Sequence, residues 1–182
     1  DISKVNVEPV GFPTREPMLA DGKVDSVTGF SFSSYLNLVR LGVPEEDIST
    51  ILMADHGLKL YGNAVIVNTD YAKNNSDMVK KFLVAIGAGW RDAIKDPKAA
   101  AAALVKRNPA ADAALEQRRL QLAIDANVLT DYVKANGMGG VDSSRFAAAI
   151  EQLSETYEYK AAPNAALYFT DEYLPASGIS LN

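Results

Sequence analysis

Up to Asn68 the chain reads as short alternating apolar segments between turn signals; after it, as helices carrying runs of alanine, a strong helix former. This one change of pattern constrains the fold more than any other feature. In the first part Val5, Val7 and Val10 lie around polar Lys4, Asn6 and Glu8, a strand pattern closed by the turn signal Gly11-Phe12-Pro13. Thr14 then serves as a helix N-cap, Asp21-Gly22 ends a short helix, and Val24 to Thr28 reads as a second strand. Strand, helix and strand in quick succession predict a parallel βαβ unit. A helix over Phe32 to Leu41 follows, then candidate strands over Ile48 to Ala54 and Leu60 to Val67, the latter with Gly62 near its start where a backbone or ligand comes close.

The second part is punctuated by caps. Asn75 or Ser76 opens a helix to about Lys95 in which Met78, Val79, Phe82, Leu83, Ile86, Trp90 and Ile94 recur at helical spacing. Asp96-Pro97 and Asn108-Pro109 start helices over about Lys98 to Lys106 and Ala111 to Ala126, because proline at the first helical position loses no hydrogen bond. A short helix begins near Thr130 and ends at Asn136-Gly137, and Asp142 caps the last long one, over Ser143 to Tyr157. The aromatic segment from Pro163 to Leu174 is expected to dock on these helices.

Composition narrows the chemistry. Eighteen Lys and Arg against 23 Asp and Glu leave a net charge of −5, so no nucleic-acid partner is expected. With no cysteine and one histidine, His56, thiolate sites, disulfides and His-based zinc centres have nothing to draw on, and no metal or cofactor is expected. His56 follows Asp55, but neighbours on a strand face opposite ways, and a surface histidine is the simpler reading. Asp1 to Val10 reads as structure and not as a leader, and lack of cysteine suits an exported protein as well as a cytosolic one.

Ligands of open α/β sheets lie beyond the carboxyl ends of the strands, so the segments there are the candidate site. Phe12 and Thr14 sit where a strand enters a helix N-terminus, which attracts anions unless it is only a capped turn. Thr28, Gly29 and Phe30 join a hydroxyl, a permissive glycine and an aromatic wall, although Phe30 and Phe32 would serve equally as core, Phe32 before Phe30. Tyr61 and Asn63 offer a phenol and an amide to a polar heterocycle or anion, or else form an edge turn.

Three stretches taken together, REPMLADGKVDSVTGFSFSS from Arg15, ADHGLKLYGNAVIVNTDYAKNNSDMVKKFLVAIGAGWRDAIKDP from Ala54 and DANVLTDYVKANGMGGVD from Asp125, resemble the NMT1/THI5-like family. Its members include periplasmic solute-binding proteins of ABC importers for nitrate, sulfonates, taurine and thiamine-pyrimidine precursors. The resemblance implies a type II periplasmic-binding-protein fold of two α/β lobes, with a small anionic or heteroaromatic solute held in an interlobe cleft and no covalent chemistry. Residues 1–60 would belong to the second lobe. Residues 61–182 would supply the crossing strand and the helical remainder of the first lobe, the family's opening part being absent ahead of Asp1. The expected fold is thus α/β, incomplete, with a helix-rich C-terminal half. On this pattern Thr28, Gly29 and Phe30 match the cleft segment, Tyr61 and Asn63 the crossing strand, and Phe12 and Thr14 the helix-entry loop. A membrane permease is the implied partner and the periplasm, or another exported and lipid-anchored setting, the implied location. The alternative is a thiamine-pyrimidine biosynthetic enzyme of the THI5 type with His56 in a chemical role, but that branch carries a cysteine-rich motif and this chain has no cysteine. A structural or regulatory interaction domain is the third class, favoured if the helical half exposes a large apolar patch.

Overall fold

A computed structural model describes residues 2–161 and 163–181. The chain divides into two compact units, Asp1–Ile51 and Leu52–Asn182.

The first unit contains a 3-10 turn at Ile2–Lys4, helix α1 at Phe12–Ala20, helix α2 at Ser31–Arg40 and a 3-10 turn at Glu45–Asp47. Helix α1 starts two residues before the expected cap. Gly11 takes the extended N-cap conformation, Pro13 stands in the first turn, and Thr14 donates its backbone N–H to the Gly11 carbonyl. Helix α2 starts at Ser31 as the Phe30 N-cap turns the chain, buries Leu36 and Leu38, and packs on α1, where Ser34 Oγ donates to Glu16.

The second unit begins with a 3-10 turn, Met53–His56, ended by Gly57 in the left-handed conformation. Helices α3 at Thr69–Asn74, α4 at Ser76–Lys95, α5 at Pro97–Arg107 and α6 at Ala113–Ala123 follow, with α4 against α5 and α5 against α6. A π turn at Ile124–Val128 extends α6, and α7 at Asp131–Asn136, α8 at Ser143–Thr156 and a 3-10 turn at Ala165–Leu167 complete the unit. The cap residues act as their chemistry requires: Asp96 accepts from the Ala99 N–H, Asp112 from Leu115, Thr130 from Val133 and Asp142 from Arg145. Asn108-Pro109 starts no helix, because Asp112, four residues after Asn108, takes the cap role. The short helix α3, capped by Asn68, has no counterpart among the expected helices, the first of which in this part begins at Asn75 or Ser76. Near the end of the chain, Ile179 pairs with Met138 in an isolated antiparallel bridge and is buried beside Gly87 of α4.

The α/β expectation is overturned. Among the described residues there is no strand and therefore no sheet, so neither the βαβ unit nor two α/β lobes enclosing a cleft exist here, and Leu60 to Val67 is not a crossing strand. Backbone groups must find partners somewhere, and in the segments with strand-like alternation several find helix side chains instead of a neighbouring strand. The Thr28 carbonyl accepts from Arg15 Nη1 at 2.6 Å. In the second unit the Lys59 and Leu60 carbonyls accept from Arg145 at 3.2 and 2.9 Å, while Gln152 accepts from the Lys59 N–H and donates to the Gly57 carbonyl, both at 2.8 Å. Apolar residues that a second layer of structure would cover stay exposed, among them Val5, Val7, Ile51, Val65 and Ile66. No helix of the described residues is long and apolar enough to cross a membrane.

Candidate functional site

Arg15 is the centre of the first unit's polar groups. Its position in the first turns of α1 brings the guanidinium to the end of the Val24 to Thr28 segment, where Nη1 grips the Thr28 carbonyl. The Phe12 ring, on the turn before, covers the guanidinium with its face, the Arg15 Cζ standing 4.6 Å from the ring centroid. Glu16 is buried at 3% exposure; its Oε1 accepts from Ser34 Oγ of α2 at 2.6 Å and lies 3.6 Å from Arg15 Nη2. Arg15 Nε is buried and makes no hydrogen bond.

Gly29 fits between these groups because it has no side chain. A Cβ there would stand 1.9 Å from Ser34 Oγ and 3.6 Å from Arg15 Nη2. The next residue, Phe30, stacks on Phe32 with ring centroids 5.4 Å apart and 16° between planes. Phe30 is half exposed and Phe32 more deeply set, so one face of the pair is backed by protein. The first unit thus joins three of the residues singled out from the sequence, Phe12, Thr28 and Gly29, around Arg15, which sequence reasoning passed over, and Phe30 follows them in its stack with Phe32. Thr14 lies exposed in the first turn of α1 and takes no part in these contacts. The only hint of Arg15 in the sequence is a cation and a carboxylate side by side in a first helical turn, since its partner Thr28 is 13 residues away.

Tyr61 and Asn63 belong to the second unit, and there Tyr61 is engaged. Its hydroxyl accepts the Asp142 backbone N–H at 2.8 Å, its ring lies 4.5 Å from the Arg145 guanidinium and 6.2 Å from the Phe146 ring, and Phe146 touches Phe169 at 6.0 Å. Phe169 thereby brings part of the C-terminal aromatic segment onto α8, while Leu167 and Tyr168 stay exposed. Burial raises the Tyr132 phenol above its ordinary pKa, with the charges of Tyr61, Asp142 and Asp171 adding to the effect. Asp142 is held below the usual carboxylate range by the Ser144 hydroxyl and then by the Arg145 backbone N–H. Asn63 is exposed, and a Cβ at Gly62 would meet no atom within 4 Å, so no close backbone approach explains that glycine. His56 is exposed on its 3-10 turn. No three of His, Asp and Glu among the described residues gather as metal ligands would.

No curated protein and no solved structure matches the chain. The family model described as NMT1/THI5 like matches residues 1–100, more than half of the 182 and all of the residues discussed in the first unit. The chain belongs to the NMT1/THI5-like family.

Proposed function

We propose that the chain is the solute-binding component of an ABC-type importer, that it holds a small anionic or heteroaromatic solute without chemical change, and that the first unit's Arg15 cluster is the binding site. Supporting this reading is one short segment: the Thr28 carbonyl holds the Arg15 guanidinium, which also lies 3.6 Å from the buried Glu16 carboxylate, and two residues after Thr28 Phe30 begins a half-exposed stack with Phe32. A flat apolar wall with a few fixed polar groups is what a small-molecule site requires. The family includes both importer proteins and THI5-type enzymes. The exposed setting of His56 on its 3-10 turn favours binding over catalysis. A permease would be the partner and an exported compartment the setting.

Titration calorimetry with nitrate, an alkanesulfonate and an aminopyrimidine tests the reading, with the solute recovered afterwards and analysed. Binding of at least one, recovered intact, is expected. Phe30→Ala is expected to weaken it more than tenfold while the melting temperature hardly moves, because the ring is half exposed and contributes little to the core. Recovery of an altered solute would replace this reading with the enzymatic one.

A further inference from the structure

We infer that the groove between α4 and the end of α7 is a docking site for a short extended peptide of the pattern Gly-Ile-Ser-Leu, and that a second copy of this chain fills it by exchange of residues 178–181. The chain's own residues 178–181 occupy the groove here, so the fit can be read directly. The Ile179 N–H donates to the Met138 carbonyl at 2.9 Å, and the Ile179 carbonyl accepts from the Met138 N–H at 2.8 Å. Side chains alternate as they do on a strand: Ile179 and Leu181 are buried and Ser180 between them is exposed. Main-chain bonds that hold a peptide and pockets that take its alternate side chains are the elements of recognition by strand addition.

The groove is shaped for this pattern. Gly87 leaves a notch for Ile179, since a Cβ there would stand 2.2 Å from Ile179 Cγ2. One turn on, along the same face of α4, Arg91 Nη1 donates to the Ser180 carbonyl at 2.8 Å. At the other wall a Cβ on Gly137 would lie 2.5 Å from the Ser177 carbonyl oxygen, and one on Gly178 would lie 2.4 Å from that of Asn136. Gly178 also has a φ of 66°, so both space and conformation demand glycine at the head of the peptide.

The segment can leave without unfolding a helix. Pro175 to Ser177 ahead of it are exposed, and Leu174, which lies over Gly139, would be released with it. The chain then remains tied at Phe169, on Phe146 of α8, and the run from Phe169 to Gly178 reaches about 30 Å when extended. The same contacts form within one chain or between two, so what keeps the segment at home is its local concentration, of order millimolar for a short flexible link.

Two full-length variants each spoil one half of the pair: Ile179→Asp the segment, Gly87→Leu the notch. Light scattering is expected to find each variant monomeric alone and a one-to-one dimer in their mixture, which alone offers an intact segment and an intact groove on different chains. A labelled peptide, ASGISL, is expected to bind Ile179→Asp at least tenfold more tightly than the wild-type chain, whose own segment competes, and the peptide with aspartate for isoleucine to lose that binding. Two readouts use the unaltered protein: excess ASGISL is expected to shift the Gly87 amide resonance, and to reverse dimers that form as the chain nears millimolar concentration. A Gly87 resonance that the peptide leaves in place overturns the docking site. Exchange is overturned by variants that keep the wild-type helical circular dichroism and stay monomeric when mixed, by a dimer of Ile179→Asp alone, or by a wild-type chain that stays monomeric near millimolar concentration or forms dimers the peptide leaves intact.

Discussion

Gly87 shows how a single absent side chain is used. It lies in the interior of α4, where glycine costs roughly 1 kcal/mol relative to alanine. Alanine would nonetheless not fit: its Cβ would stand 2.2 Å from Ile179 Cγ2 and 3.5 Å from Ile179 Cβ. Ile179 is buried and β-branched, so it has little freedom to turn away. Overpacking of this kind costs about 1–3 kcal/mol, more than the helix propensity gained. Gly87→Ala is therefore expected to lower stability in urea denaturation, and Gly87→Ala combined with Ile179→Ala to lose less than the two single changes summed. An additive double variant would show that the two residues do not meet. Nothing in the sequence announces this contact, because a lone glycine in a helical pattern gives no sign of what lies against it. Arg15 escaped sequence reading for the same reason: its partners are a backbone carbonyl 13 residues on and a ring a turn back, and neither is a motif.

Helices were legible and strands were not, and the physics of each explains the difference. A helix satisfies its own backbone and declares its start in a cap, so Asp96, Thr130 and Asp142 could be placed from sequence and do accept the N–H three residues on. A strand is completed only by a neighbour. The alternation of Val5 to Val10 or of Leu60 to Val67 is therefore a necessary sign but not a sufficient one, and in residues 57–60 the partners are the side chains of Arg145 and Gln152 of α8. One helix end carries a pH dependence whose sign follows from its cap. The Asp142 carboxylate has its pKa lowered in the folded chain by the Ser144 hydroxyl and the Arg145 N–H. Its contribution is thus present above the ordinary carboxylate value, about 3.9, and is lost as pH falls through the lowered folded value. The amide protons of Ser144 and Arg145 are expected to exchange faster with acidification, beyond the general trend of α8, and Asp142→Asn to abolish that excess. Unchanged behaviour in Asp142→Asn would remove Asp142 as its source.

At the scale of the molecule, the junction between the two units is an exposed, irregular stretch ending at Ile51 and Leu52, with apolar side chains in solvent. Such linkers are where chains are cut first. Brief treatment with thermolysin is expected to cleave near Ile51, giving one fragment with α1 and α2 and another with α3 to α8. First cuts inside α4 or α5 would contradict the division. The family could be read from stretches within residues 1–100, where the family model matches, yet the architecture could not, since whether a sheet forms depends on pairings between distant segments that local pattern does not encode. The bridge between Met138 and Ile179 gives the larger unit a timetable during synthesis. The notch at Gly87 stays empty, and the Arg91 guanidinium lacks the Ser180 carbonyl it binds at 2.8 Å, until residues some ninety positions later have left the ribosome. While those residues are being made, then, α4 waits with an unfilled seat, and a nascent chain stalled short of residue 179 would present that seat to chaperones as an unfinished surface.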